Sequence, residues 1–157
     1  MRGIILAGGK GTRLHPVTTT ISKHLLPVYD KPLIYYPICT LMLAGIREIL
    51  VITNPEDTDL YKKALGTGEQ FGVTFSYDTQ SAANGIAEAF IIGKKFIRDA
   101  KVCLVLGDNI FYGSGFSRVL RKSLESRSPA TIFGYQVSDP ERFGVAQVDH
   151  QNNIVSI

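Results

Sequence analysis

Short apolar runs alternate with longer amphipathic segments along the whole chain. The runs indicate strands that are buried on both faces, and we predict them at residues 3–7, 48–53, 73–78, 102–107 and 130–137. The longer segments have apolar residues three or four positions apart, which predicts helices over residues 32–44, 55–65, 85–97 and 115–126.

This alternation predicts an α/β fold, in which a Rossmann-like, mostly parallel sheet carries helices on both faces. The second helix has a strong start signal, with Asn54 as its cap and Pro55 at its first position. Near the end, apolar runs at 144–148 and 154–157 flank polar residues 150–153, which predicts a hairpin. The chain stops within this last strand, so we expect one C-terminally truncated domain over its 157 residues.

The first predicted strand ends at Gly8, Gly9 and Gly11, and Arg13 follows at once. Glycines let the backbone turn sharply and point free N–H groups at a ligand, and a guanidinium matches phosphate geometry. The third glycine of a dinucleotide fingerprint and the Gly-Lys-Ser/Thr of a Walker loop are both absent. The segment is therefore another kind of phosphate loop, or a plain turn between a strand and a helix.

Composition and charge narrow the class of protein. The chain is 45% hydrophobic and 20% charged, which is ordinary for a globular protein, and its net charge of +3 is too small for a nucleic-acid surface. The positive surplus is concentrated in residues 1–31, which indicates a site for a polyanion. That segment has one acid, Asp30, and five basic residues: Arg2, Lys10, Arg13, Lys23 and Lys31.

Cysteine usage and hydropathy suggest where the protein works. Cys39 and Cys103 lie in apolar runs without a second cysteine at metal-binding spacing, which indicates buried free thiols in a reducing compartment. No apolar stretch is long enough for a signal-peptide core or a membrane span. We expect a cytoplasmic protein with neither a membrane nor a nucleic acid as partner.

Several polar residues and a glycine follow the predicted strands, where ligands bind in open α/β sheets. Asp108 is placed to hold Mg²⁺ against phosphate oxygens, or to cap a turn. The Gln80 amide suits the edge of a base, and Gly85 would let a base approach the backbone or simply open a helix. Lys23 would bridge phosphates or be an ordinary surface lysine.

Two segments, Gly8–Arg13 and Ser22–Pro27, closely resemble the signature of the sugar nucleotidyltransferases. Three further segments, Leu26–Pro37, Gly107–Gly113 and Asp139–Val145, narrow the resemblance to the glucose-1-phosphate thymidylyltransferase branch of that family. The resemblance covers the whole chain, but it corresponds only to the N-terminal part of these longer proteins.

The resemblance implies an activity. Members transfer a thymidylyl group from dTTP to α-D-glucose 1-phosphate with Mg²⁺ as cofactor, giving dTDP-glucose and pyrophosphate for dTDP-rhamnose and O-antigen lipopolysaccharide biosynthesis. An oxygen of the sugar phosphate attacks the α-phosphorus in line, so positioning and charge neutralisation suffice for catalysis. The resemblance also implies a homo-oligomer in the full-length family.

The resemblance further implies roles for particular residues. Arg13, Lys23 and Asp108 would be catalytic, Asp108 would also bind the metal, and Gly144 would contact the sugar. Within the nucleotide site, Gln80 and Gly85 would read thymine. The implied nucleotide-binding residues are Gly8, Gly9, Gly11, Thr12, Arg13, Lys23, His24, Gln80, Gly85 and Asp108.

Three departures from the family pattern keep alternatives open. His24 stands where glutamine is usual and Phe143 where tyrosine is usual, and a Glu-Glu-Lys-Pro motif and a second metal aspartate would follow Ile157. We therefore also consider a truncated nucleotide-binding remnant with negligible turnover, an enzyme for another nucleotide such as UTP, and an assembly module that kept the fold.

Overall fold

A computed structural model describes residues 1–9, 11–82, 84–151 and 153–156, and for Arg142 it describes the backbone only. The chain comprises two compact units, residues 1–124 and residues 125–157. Whether both belong to one domain, as the length suggests, stays a prediction.

The first unit contains six strands and five helices among its described residues, and the last of these helices ends one residue beyond it. The strands are β1 (Arg2–Ala7), β2 (Pro27–Val28), β3 (Lys31–Pro32), β4 (Glu48–Thr53), β5 (Thr74–Thr79) and β6 (Val102–Leu106). The helices are α1 (Tyr35–Leu43), α2 (Thr58–Leu65), α3 (Glu88–Ile92), α4 (Lys94–Ile97) and α5 (Phe116–Glu125). Strands β2 and β3 form a small antiparallel hairpin in the connection between β1 and α1.

Four of the strands form one parallel sheet in the order β5-β4-β1-β6. Gly3 is in register with Ile49 of β4 and with Cys103 of β6. Because all four strands run the same way, their carboxyl ends meet at one edge of the sheet.

The side chains of β1 alternate between two apolar layers, because successive strand residues point to opposite faces. Ile5 and Ala7 pack with residues of α1, α2 and α5 on one face. Ile4 and Leu6 belong to a cluster on the other face that includes Ala89 of α3 and Phe96 of α4. These two layers confirm the predicted parallel sheet with helices on both faces.

The predicted elements of the sheet agree with the structure to within one residue, whereas the helices are shorter than predicted. The helix expected over 32–44 begins at Tyr35, because Pro32 belongs to the β2–β3 hairpin. The helix expected over 85–97 is split at Gly93 into α3 and α4, and its first residues are not helical. Residues 55–57 form a 3₁₀ turn that leads into α2.

The second unit contains a hairpin of β7 (Gln147–Val148) and β8 (Ile154–Ser156). This confirms the predicted hairpin, although Asn152 and Ile157 lie outside the described residues. The strand predicted over 130–137 is wrong. Its residues pair with no other described strand, and Phe133 and Tyr135 are exposed, so the segment has neither the ladder nor the burial that stabilises a strand.

Two expectations about cysteines and membranes can also be compared with the structure. Both cysteines are free, but Cys39 is exposed because it points away from the apolar layer that α1 covers, so its predicted burial is wrong. Cys103 is partly buried, and burial raises the pKa of its thiol. Within the described ranges, every helix is too short or too polar to cross a lipid bilayer.

We predict that Gly93→Ala destabilises the protein. A Cβ atom at Gly93 would lie 2.9 Å from the Ala89 carbonyl oxygen and 2.9 Å from Ile4 Cδ1, so α4 would have to move away from the sheet. The expected loss in the free energy of unfolding is about 1–3 kcal/mol, measured by chemical denaturation.

Gly113→Ala is the matched control, because a Cβ atom there would have no neighbour within 4 Å. This variant should stay within about 0.5 kcal/mol of the parent protein. Equal losses in the two variants would show that crowding at Gly93 is not the cause.

Candidate active site

The carboxyl ends of the four parallel strands bring together residues that are far apart in the sequence. Gly8 follows β1, Asn54 follows β4, Gln80 follows β5 and Asp108 lies just beyond β6. We call this row of residues the carboxyl edge.

The loop after β1 takes a path that requires glycine. Gly9 has a φ of 113° and Gly11 a φ of 60°, in the region that other residues rarely adopt. Gly11 starts a 3₁₀ turn over Thr12–Leu14, and the Thr18 hydroxyl donates a 2.8 Å hydrogen bond to the Gly11 carbonyl. The positive φ values and this hydrogen bond hold the described part of the turn just after β1.

Asn54 holds the loop after β1, which carries Gly8, Gly9 and Gly11 and which we call the glycine loop. The sequence did not predict this role of Asn54. The Gly9 N–H donates to Asn54 Oδ1 at 2.9 Å, and Asn54 Nδ2 donates to Asp57 Oδ2 at 3.0 Å. The side chain predicted to cap the second helix therefore holds the loop instead. The expectation that the loop N–H groups are free for a ligand is wrong for Gly9.

Gln80 lies against the other side of the loop. A Cβ atom at Gly8 would be 3.1 Å from Gln80 Oε1, so a larger residue at position 8 would press against the amide. Gln80 is 7% exposed, and its Nε2 donates to the Gly85 carbonyl at 3.2 Å and to Glu88 Oε2 at 2.6 Å. The sequence predicted Gln80 and Gly85 as site residues but not Glu88. An acidic residue eight positions after Gln80 was the only sign of it in the sequence.

Lys23 and Asp108 form an ion pair at the other end of the carboxyl edge. Lys23 Nζ donates to Asp108 Oδ2 at 2.5 Å, and the two side chains are 24% and 37% exposed. Burial raises the pKa of Asp108, but the hydrogen bond and charge of Lys23 outweigh it, so the pKa of the carboxyl lies below its ordinary value. Lys23 also adjoins the glycine loop, since a Cβ atom at Gly11 would be 3.3 Å from Lys23 Cβ.

A buried polar group, which we call the His24 cluster, lies beneath the carboxyl edge and consists of Ser22, His24 and Tyr61. His24 Nδ1 is 2.9 Å from the Tyr61 hydroxyl, which is also 2.8 Å from Ser22 Oγ and 3.3 Å from the carbonyl oxygen of Ala7. His24 is 1% exposed, and burial together with the Lys23 charge lowers its pKa to about 4. The imidazole is therefore neutral at pH 7, and its predicted contact with a nucleotide stays a prediction.

The other predicted site residues are exposed and make few contacts with the described residues. Thr12 and Arg13 are exposed in the turn after the loop, and the Arg13 guanidinium has no hydrogen bond or ion pair with the described residues. Lys10 lies outside the described residues. Gly144 is exposed in the second unit, and a Cβ atom there would lie more than 4 Å from every neighbour that the structure describes.

The local surplus of basic residues contributes less to the site than the sequence suggested. Arg2 lies at the amino end of β1, where it donates to Glu48 at 3.0 Å, so it belongs to the opposite edge of the sheet. Lys31 is paired with the neighbouring Asp30. Among the described basic residues of the segment 1–31, Arg13 and Lys23 are the two that adjoin the glycine loop.

Asp108 alone does not make a metal site. Among the described residues there is no cluster of three His, Cys, Asp or Glu side chains that would hold a metal ion. Mg²⁺, however, is commonly bound by one or two carboxylates together with the phosphate oxygens of a substrate. Asp108 therefore fits Mg²⁺ only as one partner beside bound phosphates.

The sheet and its polar carboxyl edge define an α/β protein with a parallel sheet between two layers of helices, and comparison with known proteins gives the family. The Nucleotidyl transferase family matches residues 2–157, and the chain belongs to this family. It is 57% identical over its whole length to the glucose-1-phosphate thymidylyltransferase of Neisseria gonorrhoeae and 54% identical to that of Mycolicibacterium smegmatis. The predicted family resemblance is confirmed.

Solved structures agree with this assignment. A crystal structure from Bacillus anthracis, described as a glucose-1-phosphate thymidylyltransferase in complex with a sucrose, matches with a TM-score of 0.90 and 39% identity. It matches 99% of this chain and 62% of its own. A UDP-glucose pyrophosphorylase complexed with UDP-glucose matches with a TM-score of 0.63 and 28% identity, over 79% of this chain and 52% of its own.

The chain spans about half the length of the curated relatives that it matches, 54% of both the Neisseria and the Mycolicibacterium protein. What the relatives are named for is therefore carried to this chain only as a proposal.

We predict that His24 makes stability depend on pH. Its pKa is about 4 in the folded protein against 6.5 for an ordinary histidine, so the unfolded chain binds the extra proton between these values. The free energy of unfolding should therefore fall as the pH is lowered from about 6.5 to about 4, by about 3 kcal/mol in total. Thermal and urea unfolding across this range measure the effect.

His24→Gln should remove this part of the pH dependence, because glutamine does not titrate. His15→Gln, at an exposed histidine, should retain it. If His24→Gln and the parent protein lose stability in parallel as the pH falls, the buried imidazole is not responsible.

Proposed function

We propose that this chain is the nucleotide-binding portion of a glucose-1-phosphate thymidylyltransferase. The proposed reaction transfers a thymidylyl group from dTTP to α-D-glucose 1-phosphate and releases pyrophosphate. The observation that carries the proposal is the order of groups along the carboxyl edge, with an amide suited to a base at one end and a cation beside a carboxylate at the other.

The dimensions of the edge support this reading. Strands β5 and β6 are separated by two intervening strands, so the groups that follow them lie three strand spacings apart, about 14 Å. Gln80 and Gly85 would hold the base, the glycine loop would pass over the middle of the nucleotide, and Lys23 and Arg13 would contact phosphates. A nucleoside triphosphate has its uncharged, hydrogen-bonding base and its charged phosphates at opposite ends in the same way.

The proposed reaction requires the protein to position its two substrates and to neutralise the charge of their phosphates. Lys23 would exchange its hydrogen bond to Asp108 for one to a phosphate oxygen, and the Arg13 guanidinium, which is unpaired among the described residues, would bind a second phosphate. Asp108 would hold Mg²⁺ beside those phosphates, and the ion would supply positive charge that neutralises their oxygens. Gly144 would contact the sugar, and attack at the α-phosphorus would proceed in line without a protein nucleophile.

The names of the relatives support the same reaction, since those at 54% and 57% identity are named glucose-1-phosphate thymidylyltransferases. UTP is the second candidate nucleotide, which the likeness to a UDP-glucose pyrophosphorylase favours. A cytoplasmic location, a homo-oligomer and a place in dTDP-rhamnose and O-antigen synthesis are further parts of the proposal.

The first test of the proposed function is ligand-induced stabilisation. At 100 times its dissociation constant, dTTP with Mg²⁺ should stabilise the chain by about 2.7 kcal/mol, which raises the unfolding temperature measurably. Arg13→Ala should raise the dissociation constant of dTTP about tenfold, because a charge-assisted bond to phosphate is lost. Differential scanning fluorimetry and isothermal titration calorimetry provide the two readouts.

Arg121→Ala, which removes an exposed arginine from α5, is the control and should bind dTTP like the parent protein. The absence of any thermal shift at millimolar dTTP with Mg²⁺ would refute the proposed function. An unchanged affinity in Arg13→Ala would show that this arginine does not contact phosphate.

The second test concerns the metal. In the parent protein Mg²⁺ should strengthen dTTP binding, and in Asp108→Asn this enhancement should be lost, because asparagine keeps the shape of the side chain but not its charge. The dissociation constant of dTTP is compared in excess Mg²⁺ and in EDTA. Asp99→Asn, at an exposed aspartate, should behave like the parent, and an equal enhancement in Asp108→Asn would exclude Asp108 as the metal ligand.

A further inference from the structure

The amide nitrogen of Gln80 is fully occupied by the protein. A side-chain amide has two N–H donors, and those of Gln80 point at the Gly85 carbonyl, 3.2 Å away, and at Glu88 Oε2, 2.6 Å away. Gln80 therefore has no N–H left for a ligand.

Glu88 accepts the shorter of these two hydrogen bonds and, together with the Gly85 carbonyl, fixes which way the amide faces. An ionised carboxylate only accepts hydrogen bonds, so the nitrogen and not the oxygen of Gln80 must turn toward it. The other carboxylate oxygen of Glu88 accepts from Asn84 Nδ2 at 3.0 Å, which holds the acid in place. The hydrogen bonds from Asn84 and from Gln80 lower the pKa of Glu88, so the carboxylate is ionised at neutral pH.

The oxygen of Gln80 consequently faces the site. It lies beside Gly8, where a Cβ atom would be only 3.1 Å away, and no donor among the described residues is bonded to it. Since Gln80 is nine-tenths buried, this oxygen is an oriented acceptor at the carboxyl edge.

We propose that Glu88 is a positioning residue that makes Gln80 an obligatory hydrogen-bond acceptor toward the base. The site then selects a pyrimidine whose ring N3 carries a hydrogen, as in thymine and uracil, and rejects cytosine, whose N3 is itself an acceptor. The inference rests on the proposed function, because it assigns Gln80 to the base of a bound nucleotide.

The test compares dTTP, dUTP and dCTP on the full chain and on Glu88→Gln, by isothermal titration calorimetry with Mg²⁺. The parent protein should bind dTTP more tightly than dCTP by about tenfold or more, because two facing acceptors leave a buried polar group unsatisfied. In Glu88→Gln the neutral amide at position 88 can donate or accept, so only the longer bond to the Gly85 carbonyl, 3.2 Å, still favours the original orientation of Gln80, and reversal of the amide becomes less costly. The affinities for dTTP and dCTP should then differ by no more than about threefold.

Two comparisons separate this effect from a structural one. The ratio of the affinity for dTTP to the affinity for dUTP should not change in Glu88→Gln, since both bases carry the N3 hydrogen. Glu69→Gln removes the same charge from an exposed position before β5, at the opposite edge of the sheet, and should leave every ratio unchanged. Should Glu88→Gln fail to fold, Asn84→Ala, which frees one oxygen of Glu88, should lower the dTTP to dCTP ratio by about twofold.

The outcomes are distinguishable. If the parent chain binds none of the three nucleotides, the proposed function fails and the inference fails with it. If dTTP binds but Glu88→Gln keeps the parent ratio of dTTP to dCTP, or loses both affinities equally, the proposed function stands and the role of Glu88 is refuted.

Discussion

The burial of β1 between two apolar layers is the constraint on which the rest of the structure depends. Ile4, Ile5 and Ala7 are fully buried, and the ladders to β4 and β6 fix where this strand ends relative to its neighbours. Because the register is fixed, the backbone of the sheet places the residues of the carboxyl edge side by side. The ion pair of Lys23 and Asp108, whose partners are 85 residues apart in the chain, forms only because the sheet brings them together.

The polar groups at this edge are held mainly by other polar groups of the protein. Asn54 holds Gly9, Glu88 holds Gln80, and the His24 cluster joins the segment that carries Lys23 to the end of β1. Each of these supports is a hydrogen bond between groups that are at least partly shielded from water, where such bonds are directional and costly to break. The result is a site whose donors and acceptors are oriented before any ligand arrives.

The sequence was sufficient for the sheet and for Gly8, Gln80 and Asp108 at its carboxyl edge, because these depend on local signals. Runs such as Ile49–Ile52 read as buried strands, and Gln80 and Asp108 were found because they follow such runs. The supporting residues could not be found in this way, since the role of Asn54 depends on Gly9, 45 residues away. The strand expected over 130–137 failed for the related reason that β-propensity does not supply a partner for the ladder.

The two ends of the candidate site depend on different stretches of the sequence. The contacts that orient Gln80 all lie within nine consecutive residues, from Gln80 to Glu88, whereas the contacts around Lys23 and Asp108 require the assembled sheet. Under the proposed function, replacing one short surface segment would therefore change which base is preferred without altering the contacts around Lys23 and Asp108. In evolutionary terms, a fold with this arrangement would acquire a new nucleotide preference through a few neighbouring codons, while the residues around Lys23 and Asp108 would stay under separate selection.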